Sequence, residues 1–272
     1  MNIRKILDLK DEFVPNIKKI LQDKNLIESK IFQLSTGVSN LDDLFEGGLS
    51  SNEVYLFFGA NSTGKTQLCH QFCNEVYKQY SSKTKLKSQK LTLYLDTENT
   101  FRPERIQELA NARDLNYKRV LQSIEVSNIM SSSALYLSLK EAEEKIKNTD
   151  IRLLIVDSVN NYYRLDRGNK EISFYSVKRE FINILNKISY LTQKYNLITI
   201  ITAQVAANFV KNAVIREIPV GIQYLNHFFH EEIYLSSRDK SLCYAHLVNS
   251  HSLPEKKLLF EITAEGIKDH TL

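Results

Sequence analysis

Four apolar runs punctuate the chain, Val54–Phe58, Leu91–Leu95, Ile151–Val156 and Leu197–Thr202. Each is nearly continuous in Val, Ile, Leu, Phe or Tyr, the pattern of a short strand buried on both faces. Between them the apolar spacing lengthens to that of a helix with one buried stripe. Cys69, Phe72, Cys73, Val76 and Tyr80 follow that period, and so do Phe181, Ile184, Leu185, Ile188 and Leu191. Strands alternating with helices predict an α/β fold with a mostly parallel central sheet and helices on both faces. Near the C-terminus the pattern changes. Glu232–Leu235, Cys243–Val248 and Leu258–Ile262 are short strands, the first two joined by Ser237-Arg238-Asp239-Lys240, and they predict a C-terminal antiparallel extension.

Before the first run, residues 1–33 carry a helical apolar pattern (Ile17, Ile20, Leu21) and a polar break at Asp23-Lys24-Asn25. They are expected to form a small helical appendage or linker, with residues 34–272 as the core. Leu41 and Leu44, followed by Gly47-Gly48, predict a short helix closed by a left-handed cap. With 272 residues, 43% hydrophobic and 25% charged, the chain suits one large α/β domain plus that appendage. No apolar run is long enough for a bilayer, and Met1–Lys5 lacks a signal-type core, so no membrane partner is expected. Three cysteines, Cys69, Cys73 and Cys243, make no disulfide framework, and an intracellular, reducing compartment is expected. The net charge of +4 permits nucleic-acid binding without demanding it.

The candidate chemistry gathers at the ends of the predicted strands. Gly59-Ala60-Asn61-Ser62-Thr63-Gly64-Lys65-Thr66 is a complete G-x-x-x-x-G-K-[ST] loop, entered by a buried-type strand and left by an amphipathic helix. Its backbone N–H groups and the helix N-terminus form a cradle for polyphosphate. Lys65 is expected to reach the β and γ oxygens of ATP, and the Thr66 hydroxyl to ligate Mg²⁺. Asp157 closes the third run and suits an acid that orients Mg²⁺ and its waters. Glu98, in Asp96-Thr97-Glu98 after the second run, suits a general base. Gln204, after the fourth, suits a sensor of the γ-phosphate. On spacing alone, Glu98 and Gln204 fit a capping role equally well.

These residues resemble a known family. Ser35-Thr36-Gly37, the phosphate loop followed by Gln67-Leu68, and the block Asp96-Thr97-Glu98-Asn99-Thr100-Phe101-Arg102-Pro103-Glu104-Arg105-Ile106 are similar to archaeal RadA and its eukaryotic relatives. So are Leu154-Ile155-Val156-Asp157-Ser158 and the stretch Leu253-Pro254-Glu255 to Gly266-Ile267. The likeness covers residues 34–270. It implies a RecA-type P-loop ATPase core, ATP-dependent assembly on single-stranded DNA, and a role in homologous recombination and repair.

By the same resemblance Glu98 is the catalytic base, Gln204 the γ-phosphate sensor and Arg105 the side chain stacked on adenine. Gln67 follows the loop into the nucleotide site, and His227 and Pro254 cap the ATP of a neighbouring subunit. His227 also suits a partly buried polar residue among aromatics. Two DNA-facing loops have counterparts, one with Arg167-Gly168 after Tyr162-Tyr163-Arg164, the other from Val205 to about Ile222 with Phe209, Lys211 and Arg216. A cation there would neutralise phosphate and Phe209 would stack on a base, although a loop phenylalanine also serves as a plain anchor. The lysines Lys83, Lys85, Lys87 and Lys90 suit a solvated loop.

Departures from the family point one way. With only some thirty residues before the core, no counterpart of the family's N-terminal helix-hairpin-helix domain is expected, and its Phe-x-x-Ala chaining segment is not evident, Phe13-Val14-Pro15-Asn16 being the nearest string, without the alanine. Asn249 replaces an aspartate, His251 a proline, Ala203 an asparagine and Ile222 the second of two glycines. The expectation is an accessory paralogue, a homo- or hetero-oligomer pairing with a RadA-type recombinase or paralogue chain and, on its own, a monomer or short oligomer that lengthens little with ATP. The alternatives are a self-sufficient strand-exchange recombinase and an ATP-binding regulatory scaffold without DNA function.

Overall fold

The structure is a computed structural model, which describes residues 31–83, 90–210 and 215–270. The appendage expected over residues 1–33 therefore lies, up to residue 30, outside the described residues, as do Phe13–Asn16, Lys85, Lys87 and Lys211. Gln33, expected in that appendage, is already paired: β1 (Gln33–Leu34) runs antiparallel to β2 (Leu49–Ser50). Between them α1 (Ser39–Leu44) packs Leu41 and Leu44 inward. It closes in a left-handed residue, but that residue is Glu46 (φ 51°) rather than a glycine, with Gly47 and Gly48 following at φ 117° and 115°. A side chain at Gly48 would meet the Leu34 carbonyl oxygen at 2.5 Å, so only glycine fits.

The central sheet has nine strands in the order β13-β12-β11-β10-β3-β7-β6-β4-β5. Six are parallel: β10 (Glu231–Ser237), β3 (Glu53–Phe58), β7 (Ile198–Ala203), β6 (Leu153–Asp157), β4 (Thr92–Asp96) and β5 (Ile124–Asn128). The other three, β11 (Leu242–Ser250), β12 (Lys256–Thr263) and β13 (Gly266–Asp269), continue from β10 as an antiparallel meander. The α/β fold with its antiparallel extension, expected from the apolar runs, is the one found.

The period of two along each strand divides the core into two layers. Tyr55, Phe57, Tyr94, Leu153, Ile155, Ile198 and Ile200 face α2 (Lys65–Tyr80), α3 (Pro103–Asn111) and α4 (Tyr117–Ser123). Val54, Leu56, Phe58, Leu93, Leu154, Val156 and Ile201 face the opposite layer, made by α5 (Ser132–Lys147), α6 (Asn161–Gly168), α7 (Phe174–Tyr195) and α8 (Ile222–Leu225). Cys69, Cys73 and Cys243 are buried free thiols. Because the six strands run the same way, β3, β4, β6 and β7 all deliver their C-terminal residues to one edge. That edge carries the polar chemistry.

At the opposite edge a carboxylate is buried at the first residue of β10. Glu231 is 2% exposed; one carboxylate oxygen accepts a hydrogen bond from the Ser250 hydroxyl at 2.9 Å, and the other has no partner among the described residues. Burial, with a smaller push from Glu53, raises its pKa from 4.5 to about 7. A folded-state pKa above the unfolded one means the protonated form is favoured in the fold. The resulting stability is full below pH 4.5 and is lost as pH rises through 7. Glu231→Gln removes this titration. Between pH 5 and pH 8 the wild type should lose roughly 2–6 °C of melting temperature more than the variant. Parallel melting curves across that range, followed by circular dichroism, would contradict the assignment.

Candidate nucleotide site and its flanking loops

The phosphate loop spans Gly59 to Thr66 between β3 and α2. Gly59 is dictated by crowding, since a side chain there would meet the Leu235 carbonyl oxygen at 2.0 Å. Gly64, at φ 101°, turns the chain into the helix. The Thr63 hydroxyl donates to the Ala60 carbonyl at 2.9 Å and closes the loop on itself. Lys65 folds back over it, its ammonium donating to the carbonyl oxygens of Gly59 at 2.8 Å and Ala60 at 2.7 Å. Burial lowers the pKa of Lys65, against the opposing pull of the Asp157, Glu98 and Glu217 carboxylates.

Asp157, the last residue of β6, is 2% exposed and collects hydroxyl donors from three other elements. Oδ2 accepts from Thr66 of α2 at 2.8 Å and Tyr94 of β4 at 2.9 Å, while Oδ1 accepts from Thr202 of β7. Burial, reinforced by Asp157 itself, pushes the Tyr94 hydroxyl well up in pKa, which keeps it a donor.

Beside this cluster stands Glu98. Its Oε1 accepts from the Ser158 hydroxyl and from Gln204 Nε2, the latter at 2.9 Å. The neighbouring loop is held by Asp96, whose buried carboxylate accepts the backbone N–H groups of Glu98 at 3.1 Å, Thr100 at 3.2 Å and Phe101 at 2.8 Å. Gln204 is fixed through its backbone by Asn160 at 2.8 Å, and its buried Oε1 has no partner among the described residues. The amide thus faces Glu98 with its nitrogen and keeps one acceptor free. Asn160 Nδ2 also donates to the carbonyls of Gln204 at 2.9 Å and Val220 at 3.0 Å, tying the strand end to the far side of the next loop.

Toward the periphery, Arg105 donates to Gln67 Oε1 at 2.7 Å, to Glu108, and to the carbonyls of Thr263 and Ala264. Arg105 and Gln67 are therefore joined at the outer end of the loop. His227, in the turn after α8, and Pro254, between β11 and β12, are exposed on the surface.

The two expected DNA loops take a more ordered form than the sequence suggested. Arg167-Gly168 is the last turn of α6, not open loop, because Tyr163 stacks on Phe181 at 4.2 Å and anchors the helix to α7. The stretch after Val205 begins and ends as a hairpin, β8 (Val205–Ala207) against β9 (Glu217–Pro219). Phe209 beyond it is 92% exposed and Arg216 is exposed as well. Lys90, grouped with the solvated lysines, donates to the Ile124 carbonyl at 3.0 Å.

Sequence reasoning missed Tyr94, Thr202, Ser158, Asn160 and Glu217. The first four sit one or a few residues from motif positions, where a hydroxyl or amide inside an apolar strand end was the available signal. Glu217 had none. Its Oε2 accepts the Ala60 N–H of the phosphate loop at 3.2 Å and the Tyr234 hydroxyl at 3.3 Å.

A phosphate loop at the C-terminal edge of a parallel sheet, with acids and an amide on the adjoining strand ends and an antiparallel extension, defines a RecA-type P-loop ATPase fold. A model of the Rad51 family matches residues 27–270, and the chain belongs to that family. The family is one of ATP- and DNA-binding proteins of recombination and repair. Among the described residues no helix is long and apolar enough to cross a membrane.

The Glu217 carboxylate lies against the loop that would receive a polyanion. Glu217→Gln should therefore tighten binding of a fluorescent ATP analogue by about 3- to 10-fold, the effect of removing one like charge at partly screened short range. Unchanged or weaker binding in the titration would show that Glu217 is neutral toward nucleotide.

Proposed function

We propose that this chain is a Mg²⁺-dependent ATPase that acts on single-stranded DNA as an accessory recombinase paralogue. The observation that carries the hydrolytic reading is the group Glu98, Ser158 and Gln204. A carboxylate and a spare amide acceptor converge beside the phosphate loop, where a water molecule needs an acceptor for each of two protons. Ser158 and the Gln204 amide orient Glu98, which takes the proton of the attacking water.

Backbone N–H groups from Asn61 to Gln67 bind the phosphates, and Lys65 turns from the Gly59 and Ala60 carbonyls to the β and γ oxygens. The oxygen-only set of Thr66 and Asp157 fits a hard cation, and Mg²⁺ bound there neutralises charge on the phosphates. The hydroxyls of Thr66, Tyr94 and Thr202, with a longer contact from Thr100 at 3.5 Å, hold the Asp157 carboxylate toward that position. Arg105, braced by Gln67, is the side chain proposed to stack on the adenine.

Loss of the γ-phosphate would change what Gln204 meets. Asn160 passes that change to Val220 and the β8–β9 hairpin, which carries Phe209 and Arg216. Arg167 lies in the last turn of α6, whose first residue, Asn161, donates to the Thr97 carbonyl at 2.7 Å, next to Glu98. Both candidate DNA segments are thus rooted beside Glu98 and Gln204, the proposed γ side. The paralogue reading rests on the neighbour-facing positions, where Asn249 contacts Glu232 at 3.3 Å in place of the family's acid. The exposure of His227 and Pro254 favours a second reading, a self-assembling recombinase whose protomers complete each other's sites.

Glu98→Gln should leave nucleotide affinity nearly intact and slow hydrolysis by about 10²- to 10⁴-fold, the usual contribution of a general base. The test is ATP turnover with and without single-stranded DNA. Equal rates for variant and wild type would remove Glu98 from the chemistry, and no stimulation by DNA would remove the coupling.

For DNA, each phosphate-contacting cation lost among Arg167, Lys211 and Arg216 should lower the log–log salt slope of single-strand binding by about 0.7. Phe209→Ala should weaken binding by about 1–3 kcal/mol with the slope unchanged. Fluorescence anisotropy at several salt concentrations separates the two. A quadruple variant that binds as wild type does would exclude these segments from the DNA surface.

A further inference from the structure

We propose that His70 is a positioning residue for Glu98, joining the first turn of the phosphate-loop helix to the loop that bears the carboxylate. The inference rests on the assignment of Glu98 as the base. His70 lies within a helical stripe that otherwise reads as core, and it is 1% exposed. Its ring stacks on Phe101 at 5.3 Å and lies 6.0 Å from Tyr94. Both ring nitrogens are engaged. Nδ1 is 2.7 Å from the Thr66 carbonyl oxygen, and Nε2 is 3.0 Å from the backbone nitrogen of Arg102.

These partners fix the hydrogen positions. A carbonyl only accepts, so Nδ1 carries the hydrogen; the Arg102 N–H only donates, so Nε2 presents its lone pair. Arg102 is the residue just before α3, whose N–H has no partner within that helix. The segment between β4 and α3 is thereby suspended from two sides. Asp96 holds the N–H groups of Glu98, Thr100 and Phe101 from the strand, and His70 holds that of Arg102 from the helix. The imidazole also abuts Thr66, whose hydroxyl meets Asp157. The spacing between the phosphate loop and Glu98 is therefore set through one rigid ring.

Two conservative variants separate the two hydrogen bonds. His70→Asn places an amide nitrogen near Nδ1, so it keeps the bond to Thr66 and leaves the Arg102 N–H unmet. His70→Gln places an amide oxygen near Nε2, so it keeps the acceptor for Arg102 and gives up the other bond. H70N should lower kcat by about 10- to 100-fold, the effect of roughly 1 Å of misplacement, with ATP affinity within about threefold of wild type. H70Q should stay within a few-fold of wild type. His70→Phe keeps the stacking and neither hydrogen bond, and must show the H70N loss; it serves where H70N does not fold.

Hydrogen exchange of the nucleotide-free protein gives a readout apart from activity. The Arg102 amide should exchange at least about tenfold faster in H70N and H70F and remain protected in H70Q. Equal kcat in H70N, H70F and wild type, or equal loss in H70N and H70Q with the Arg102 amide protected in both, would overturn the proposal and leave His70 a packing residue. If Glu98→Gln hydrolyses ATP normally while the Arg102 amide still opens in H70N, the base assignment fails and the catalytic part of this inference fails with it. The anchoring of the loop would then stand alone.

Discussion

A carboxylate held at 2% exposure at a strand end has to be met by donors, and Asp157 meets that demand with hydroxyls from three directions. An ionised group left unmet there would cost several kcal/mol. The donors sit on β4 and β7, the strands that flank β6 in the sheet, and on α2, the helix that the phosphate loop opens. Tyr94, Thr202 and Thr66 can reach one carboxylate only if those strands are parallel, adjacent and in register, with Asp96 beside Asp157. The same hydroxyls would hold the acid toward a hard cation once one is bound, so packing and proposed chemistry rest on one set of contacts.

From that point the site extends outward in two steps. The Ser158 hydroxyl, next in the chain, reaches Glu98, and Glu98 meets Gln204 at the end of β7. Asn160 then links Gln204 to Val220 beyond the β8–β9 hairpin. Tyr163, packed between Phe181 and Tyr224, fixes the root of α6 beside it. Gly221 lies so close to these rings that a side chain would meet Tyr163 at 3.0 Å, which makes the hairpin's return path a tight one. A change at Glu98 and Gln204 is thus connected to both exposed segments through hydrogen bonds and packed rings. Glu217, reaching back from the hairpin to the phosphate loop, closes the circuit.

How much of this could be read from the chain follows from the physics of each element. The four strands buried on both faces announce themselves as nearly continuous apolar runs, and the phosphate loop announces itself by glycine and lysine spacing. The edge strand β5 does not, because Ile124–Asn128 is buried only at its first residue and carries Glu125, Ser127 and Asn128. The β8–β9 ladder is three residues a side and held by the ends of a longer loop, below what periodicity resolves. Arg167-Gly168 was legible as a motif but not as the end of a helix, since Tyr163 supplies the stability through contacts outside the segment. At the site, residues inside motifs could be picked out in advance as candidates. Partners such as Thr202, 45 residues from Asp157, or Glu217, 157 residues from Ala60, become visible only when the sheet brings them together.

The central claim, that Asp157 and Thr66 form the cation-dependent half of a nucleotide site, is tested most directly by calorimetric titration of a non-hydrolysable ATP analogue. The titration is run with Mg²⁺ and with chelator, on the wild type and on Asp157→Asn. The account predicts that Mg²⁺ tightens wild-type binding by at least about tenfold and that the Asp157→Asn protein, still folded, shows little or no such gain. Equal Mg²⁺ dependence in the two proteins, or none in the wild type, would contradict it.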